Sequence, residues 1–154
     1  GSNANFDGNI NYDGNSSHNT FSFRESKISY VFQDFKLFPN LTVFENIQLK
    51  NTLTNNKTVE EIDIFIEKVL LGHKRNSLVK NLSLGQKQRV AIIRALCQPF
   101  EFILLDEPFS HLDRENIKLI THIVVREVNK QNASLIMTSL DEMNVLTFDK
   151  VLNL

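Results

Sequence analysis

The stretch that most constrains the fold is EFILLD at residues 101–106, a continuous apolar run that ends in an acidic residue. An uninterrupted apolar run has no polar face, which is typical of a strand buried on both faces of a parallel sheet. ASLIMT at 133–138 predicts a second buried strand, and a helix is predicted between them from about Asp113 to Asn129. KVLNL at 150–154 predicts a last strand, and a short helix is expected to start at Asp141. Because strands that alternate with helices form parallel sheets, this half of the chain predicts an α/β fold.

Two further strands are predicted nearer the start of the chain. KISYVF at 27–32 is rich in residues that favour strands and is followed by polar side chains. GNINYDG at 8–14 predicts a short strand that leads into a turn at Asp13 and Gly14. GSNA at 1–4 is interpreted as a remnant of expression cloning, which leaves residues 5–154 for the domain.

The middle of the chain carries helix signals. TVFE at 42–45, TVEE at 58–61 and SLGQ at 83–86 each fit a capping box, in which a Ser or Thr and the third following residue satisfy each other's backbone N–H groups. Gly72 is expected to cap the end of the second helix. Residues 34–97 are therefore predicted to be a mostly helical insertion into the sheet, and residues 98–154 to be the α/β half.

Composition excludes several classes of protein. The chain has 154 residues with 42% hydrophobic and 23% charged residues, which is typical of a globular domain. A formal net charge of −1 argues against a nucleic-acid partner. The single cysteine, Cys97, cannot form an internal disulfide and favours a reducing compartment. No apolar run is long enough to span a bilayer.

Two acidic side chains, Asp106 and Glu107, come where the strand EFILLD ends. Parallel sheets bind ligands at this edge. One carboxylate can hold Mg²⁺, and the other can orient and deprotonate an attacking water. The alternative is that a strand simply ends in acids because strands end at the surface.

LSLGQ at 82–86 begins a predicted helix, whose first N–H groups and positive dipole end attract anions. Ser83 adds a hydroxyl, and Gly85 has no Cβ to keep a phosphate from the backbone. The alternative is an ordinary capping box, which is common. Gln33, after KISYVF, is a candidate ligand for Mg²⁺ or water through its amide oxygen, or it is merely solvated.

Taken together, YVFQDFKLFPNLTVFENI, LSLGQKQRVAIIRAL and FILLDEPFSHLD resemble the nucleotide-binding domain of ATP-binding cassette (ABC) transporters, from about Gly8 onward. The resemblance implies a P-loop NTPase-like parallel sheet with a helical subdomain. It implies that Asp106 and Gln33 bind Mg²⁺ and that Glu107 is the catalytic base. Ser83, Gly85 and Gln86 match the family's signature motif. The resemblance implies that this motif contacts the γ-phosphate of an ATP held by a second ATPase subunit.

The sequence departs from the family pattern in several places. Asp113 matches the aspartate at the dimer seam, but Leu84 and His111 stand where the family has a glycine and a small residue. Ser139 occupies the position of the family's switch histidine, and a serine cannot carry an imidazolium charge. The chain by itself is therefore expected to hydrolyse ATP poorly, if the resemblance holds at this position.

The sequence also contains no P-loop, G-x-x-x-x-G-K-[ST], because none of its five glycines precedes a lysine. In the family, the P-loop strand lies between the strands that 133–138 and 150–154 resemble. The expectation is therefore an incomplete sheet with an open seam, which the chain closes by rearrangement or by oligomerising.

The function expected from the resemblance is a truncated ATP-binding subunit that couples ATP binding and hydrolysis to transport. ATP and Mg²⁺ are the expected cofactors of the intact parent, with weak binding here. A membrane permease is expected to contact residues 33–48, from the cytoplasmic side of the membrane. The alternative is a non-catalytic module that presents the signature motif to a partner's ATP. A nucleic-acid-linked ABC ATPase is disfavoured, because no sustained heptads lie between Gln33 and the signature motif.

Overall fold

The computed structural model describes residues 11–12, 15–16, 26–140 and 146–152. Its central sheet has three parallel strands, in the order β3 (Ile28–Val31), β4 (Phe102–Asp106) and β5 (Ser134–Thr138). The predicted parallel α/β architecture is therefore confirmed. Along the register, Val31 lies opposite Leu105 and Asp106 lies opposite Thr138, so all three strands end at one edge.

A separate antiparallel pair precedes the sheet. The strand predicted before the turn is β1 (Asn11–Tyr12), and it pairs with β2 (Asn15–Ser16). The returning strand was not predicted. The helix start predicted at Asp141 lies in the segment 141–145, which is outside the described residues.

Several α-helices of the described residues accompany the sheet. Three of them, α1 (Val43–Thr54), α2 (Val59–Lys68) and α3 (Leu84–Leu96), lie between β3 and β4 along the chain, and α4 (Arg114–Lys130) connects β4 to β5. Two short 3-10 helices, Gly72–Lys74 and Val79–Asn81, link α2 to α3. All three predicted capping boxes are present, with the N-caps Thr42, Thr58 and Ser83. The mostly helical character of the middle of the chain follows from these starts.

The prediction that Gly72 caps α2 is wrong. The helix ends at Lys68, and the left-handed residue is Leu70, with a φ of 59°. The Leu70 N–H donates to the carbonyl of Glu67, and the Leu71 N–H donates to the carbonyl of Ile66. Leu71 is fully buried whereas Leu70 is exposed, so the burial of one leucine fixes the turn at its neighbour and overrides the preference for glycine.

The two faces of the sheet differ in burial. On one face Ile103 and Leu105 are buried, and α3 packs beside β3. On the other face Tyr30, Phe32 and Ile136 are 38%, 42% and 53% exposed. The expectation that 101–106 and 133–138 are both buried on both faces is therefore wrong. A continuous apolar run allows a strand to be buried on both faces. It does not determine whether the described residues cover each face.

The prediction of a last strand at 150–154 is also wrong for the part that the structure describes, residues 150–152. Residues 150–152 form no strand, and 153–154 lie outside the described part of the chain. Within the described sheet, β5 pairs with β4 alone. Apolar character is not sufficient for a strand, because its backbone groups also need a ladder partner.

Buried side chains from all four helices and from β4 form one core, whose fully buried members include Ile47, Ile62, Ile92, Ile103 and Ile120. Cys97, directly after α3, lies in this core, and burial raises the pKa of its thiol to about 12. No helix of the described residues is both long enough and apolar enough to cross a membrane.

A buried ion pair joins the helical part of the chain to α4. The Lys57 Nζ lies 2.5 Å from the Glu127 Oε1, and the two side chains are only 4% and 6% exposed. Glu127 also accepts a hydrogen bond from the Gln131 amide at 3.2 Å. The Asn51 side chain bonds both backbone groups of Lys57 at 2.8 Å, which holds this loop in place.

Replacing Lys57 by Met is expected to destabilise the fold by about 3–5 kcal/mol, because the Glu127 carboxylate would stay buried without a counter-ion. The double variant with Met at both positions should regain most of the loss, since no unpaired charge remains. Urea denaturation measures both. The matched control is Lys36→Met, which breaks the pair of Lys36 with Asp34, whose side chains are 61% and 60% exposed, and should cost less than about 1 kcal/mol. Equal losses for Lys57→Met and Lys36→Met would mean that burial gives the Lys57–Glu127 pair no special weight in stability.

Candidate functional site

The carboxylate of Asp106 lies at the edge where the strands end. Its Oδ1 accepts a hydrogen bond from the Thr138 hydroxyl at 2.7 Å, and its Oδ2 is 3.5 Å from the Tyr30 hydroxyl, a long donor contact. Neighbouring strands on both sides thus orient it. Burial raises the pKa of the Tyr30 hydroxyl, and the negative charge and hydrogen bond of Asp106 raise it further. Thr138, whose hydroxyl also accepts from the Glu107 N–H at 3.2 Å, connects the two acidic residues.

Glu107 has a left-handed backbone, with a φ of 47°. A conformation of this kind costs a non-glycine residue about 1–3 kcal/mol, so the surroundings must hold it. They do so at the backbone, where the Glu107 carbonyl accepts from the Gln88 amide at 2.9 Å and from the Ser110 hydroxyl at 3.2 Å. Its carboxylate makes no hydrogen bond or ion pair within the described part of the chain, and it is partly exposed.

Ser83 and Gln86 form the start of α3. The Ser83 Oγ accepts from the Gln86 N–H at 3.3 Å, and the Gln86 Oε1 accepts from the Ser83 N–H at 3.0 Å. The capping box predicted at the start of this helix is therefore present. The box satisfies two of the donors at this end, and it leaves Ser83 exposed with the helix N-terminus beside it.

Gly85 is required by close packing. A Cβ on this residue would lie 2.6 Å from the carbonyl oxygen of His111 and 3.4 Å from the Leu112 Cδ2. The first distance is shorter than side chains tolerate, and the atom that it meets is backbone. The absence of a Cβ thus lets α3 pack against the loop that follows β4. The sequence had suggested a different use for this glycine, the approach of a phosphate.

Gln88 is the residue that sequence reasoning missed. Its side chain is buried at 1% exposure, donates to the Glu107 carbonyl, and accepts from the His111 N–H at 3.1 Å. One side chain of α3 therefore holds both ends of the 107–111 loop. A signal was available, because Gln88 stands at helical spacing with Ile92 and Leu96 on the buried stripe of α3. A polar side chain on such a stripe indicates a buried hydrogen-bond partner.

Asp113 caps α4. Its carboxylate accepts from the Asn116 N–H at 2.8 Å and from the Asn116 side-chain amide at 2.9 Å, and these hydrogen bonds lower the pKa of Asp113. The Arg89 guanidinium bridges the same Asn116 to the carbonyls of Val69 and Gly85. Burial lowers the pKa of Arg89, and the charge of Asp113 opposes that effect.

Gln33 is exposed two residues beyond the end of β3, on the sheet edge that carries Asp106 and Glu107. It hydrogen-bonds neither of them in the described structure. Instead it lines a cavity of about 430 Å³ together with Phe35, Leu84 and His111. The Phe35 and His111 rings meet edge to face, with centroids 5.7 Å apart. Ser139 follows Thr138 at this edge and is exposed.

The donor set at this edge suits a Mg²⁺ that brings most of its own ligands. Among the described residues, no three His, Cys, Asp or Glu side chains cluster closely enough to hold a metal. Mg²⁺ usually keeps several waters and is bound through one or two carboxylates plus substrate phosphates. One oriented carboxylate, Asp106, with a second beside it, fits that pattern and does not fit an all-protein cage.

Gly85→Ala is expected to lower the melting temperature, because the new methyl group would push the His111 backbone away and cost about 1–3 kcal/mol. Thermal denaturation followed by circular dichroism measures the shift. Gly72→Ala is the matched control, since the methyl group there would meet the end of the Glu67 side chain, which can rotate away. Similar shifts for the two variants would contradict the packing assigned to Gly85.

Comparison with known proteins gives a consistent result. The profile of the family described as ABC transporter matches residues 2–110. The chain is 34% identical over 131 residues to a lipoprotein-releasing system ATP-binding protein, LolD 1, of Rhodopirellula baltica, covering 80% of this chain and 57% of that protein. It is 41% identical over 124 residues to the arginine transport ATP-binding protein ArtM of Bacillus subtilis, covering 78% of this chain and 51% of that one. The chain thus spans about half the length of these two relatives.

A solved structure is similar as well. The dimer of the ATP-binding cassette MJ0796 in a post-hydrolysis state, bound to ADP and Pi, matches with a TM-score of 0.72 and 28% identity, over 87% of this chain and 63% of that one. The three parallel strands and their helices therefore match an ABC cassette. With the family profile covering most of its residues, the chain belongs to the ABC transporter family, as part of the ATP-binding domain.

Proposed function

We propose that the chain is part of an ATP-binding subunit that couples ATP binding and hydrolysis to transport through a membrane permease. The observation that carries the proposal is the contact between the helix that starts at LSLGQ and the loop that follows FILLDE. Gln88 bonds both Glu107 and His111 in that loop, and Gly85 packs directly on His111. These contacts connect the two elements directly, and coupling between them needs a physical connection of this kind.

Asp106 is proposed as the ligand of Mg²⁺ and Glu107 as the base that orients and deprotonates the attacking water, with Gln33 as a further Mg²⁺ ligand. The hydrogen bond from Thr138 supports the first role, because it fixes the direction of the Asp106 carboxylate. The second role is supported by the Glu107 carboxylate, which the described residues leave without a hydrogen bond. When bound, Mg²⁺ would neutralise charge on the phosphate oxygens.

Ser83, Gly85 and Gln86 are proposed to contact the γ-phosphate of an ATP held by a second subunit, with Asp113 at the seam between the two. The N-terminus of α3 supports this proposal, because exposed N–H groups and the helix dipole favour an anion. The relative MJ0796 is dimeric in two solved structures, and it binds ADP and Pi in one of them.

The phosphate-binding P-loop is not among these 154 residues, since no glycine precedes a lysine. We propose that its strand is a second neighbour of β5, which pairs with β4 alone among the described residues, so that the described sheet is part of a P-loop NTPase-like sheet. The edge of β5 that no described strand pairs with and the exposed Ile136 support that placement. In this arrangement 34–97 is the helical subdomain and 98–154 is the catalytic-core half.

Residues 33–48 are proposed to contact the permease, at the cytoplasmic face of the membrane. The support is the cavity of about 430 Å³ between Gln33 and the start of α3, beside which Phe38 is 55% exposed. An open apolar surface of this kind, next to both proposed ATP-contacting segments, suits a side chain inserted by a partner.

One observation favours a second candidate function, a non-catalytic module that presents the signature motif to an ATP held by a partner. Ser139 stands at the switch position, where it can neither carry the charge of an imidazolium nor reach as far towards a γ-phosphate. Both candidate functions assign Ser83 the same contact with the γ-phosphate. They differ in Glu107, which is the base in the catalytic subunit and has no catalytic role in the module.

The proposed metal site is tested with Mn²⁺, which broadens nearby signals in the amide NMR spectrum. Broadening is expected first at the amides of Asp106 and Glu107, because Mn²⁺ prefers the same oxygen ligands as Mg²⁺. Asp106→Asn should abolish the localised broadening. The exposed acid Glu115 provides the matched control, Glu115→Gln, which should change nothing. Broadening centred elsewhere would contradict the assignment of Asp106.

The half-site is tested by titrating a fluorescent ATP analogue into the chain with Mg²⁺. Binding should not saturate below about 1 mM, equivalent to about −4 kcal/mol, because the signature motif supplies only one side of a phosphate site. Amide shifts at Ser83, Gly85 and Gln86 should nevertheless appear at the highest concentrations and should disappear in Ser83→Arg. Micromolar binding by the chain alone would mean that a complete phosphate site is present, and the half-site proposal would be wrong.

A further inference from the structure

A second groove lies away from the proposed ATP site, between α2 and α4. It has a volume of about 390 Å³, and the side chains of its apolar floor are Ile64, Phe65, Leu119 and Ile123. Ile64 is 51% exposed, Phe65 and Leu119 are partly buried, and Ile123 is buried. A helix pair that leaves such a stripe open offers a surface to another apolar element.

The rim of this groove is cationic. Four Lys or Arg side chains and two Glu side chains line it, whereas the whole chain carries a formal net charge of −1. Both glutamates already have partners, since Glu127 pairs with Lys57 and Glu61 lies 3.7 Å from Lys130. Lys68 and Arg126 are exposed and make no ion pair among the described residues, so two positive charges of the groove face solvent.

Two further acids of α2 are directed elsewhere. Asp63 accepts two hydrogen bonds from the Arg75 guanidinium, at 2.7 and 3.3 Å. The carboxylate of Glu67 lies over Gly72, where a Cβ would come within 2.3 Å of it. Neither is therefore available to neutralise Lys68. The charged side chains that line the groove therefore sum to two positive charges, four from Lys and Arg less two from Glu.

We propose that this groove binds an acidic amphipathic helical segment of a partner protein. Apolar side chains of the segment would pack on Ile64 and Phe65, and its carboxylates would pair with Lys68 and Arg126. Helix α2, with 10 residues, is about 15 Å long, so it can pack against three turns of a partner helix. The proposal does not depend on the ATP site, since it uses none of the residues assigned there.

The experiment uses a fluorescein-labelled peptide of about twelve residues, with Leu and Phe at i, i+3, i+4 and i+7 spacing and Glu elsewhere. Fluorescence anisotropy with the full chain should show saturable binding that weakens as salt is added. The same composition in an order that breaks the helical spacing should bind more weakly. A peptide with Lys in place of Glu should not bind measurably.

Lys68→Glu combined with Arg126→Glu should weaken binding of the acidic peptide by about tenfold or more, because two attractive pairs become repulsive. Ile64→Ser should also weaken it, through lost apolar contact. The matched control reverses two exposed charges away from the groove, Lys50→Glu with Arg114→Glu, and should change the affinity by less than about twofold. Circular dichroism should give similar melting curves for all these variants, since every substituted side chain is exposed.

Several results would overturn the proposal. These are the absence of saturable binding up to about 1 mM peptide, equal losses in the groove and control variants, or equal binding of the ordered and scrambled peptides. Vesicles containing an anionic phospholipid provide one further arm. If they bound through Lys68 and Arg126 while the acidic peptide did not, the groove would be a membrane-facing surface and the assignment of a protein partner would be wrong.

Discussion

The arrangement at the sheet edge depends on the contact of α3 with the loop after β4. Gln88 holds that loop from inside the core with one donated and one accepted hydrogen bond. The loop in turn carries Glu107 in a left-handed conformation that it would not adopt readily by itself. Gly85 allows the two backbones to approach, and the capping box of Ser83 fixes where α3 begins. Buried hydrogen bonds of this kind are rigid because breaking either partner leaves an unsatisfied group in the core.

Thr138 connects strand β5 to both acidic residues at the sheet edge. Its hydroxyl donates to Asp106 and accepts from the backbone of Glu107, so β5 helps to orient both acidic residues. The two acids therefore have different surroundings although they are adjacent in sequence. The carboxylate of Asp106 is fixed by neighbouring strands, whereas that of Glu107 projects from a backbone that is fixed. Such a division suits one stationary ligand and one group that meets a mobile water.

Much of this could be predicted from the sequence, and the failures have physical causes. Capping boxes are local, which is why the starts of α1, α2 and α3 were predicted correctly. The positions of Asp106, Glu107 and the start of α3 near one edge could be predicted because strand ends and helix starts are local features, while the roles of these residues stay predictions. Gln88 was missed because its partners, the Glu107 carbonyl and the His111 N–H, are set by tertiary packing. The predictions of a helix cap at Gly72 and of a strand at 150–152 were wrong for the same reason. Tertiary packing decides where the left-handed turn lies, here at Leu70, and which strands pair.

The burial of Cys97 has a practical consequence. It is the only thiol of the chain, it lies directly after α3, and its pKa of about 12 keeps it protonated and unreactive while the core is closed. Thiol-specific reagents can therefore reach it only when the core opens around the end of α3. The rate at which such a reagent modifies the Cys97 sulfur therefore reports how readily the core opens around the end of α3.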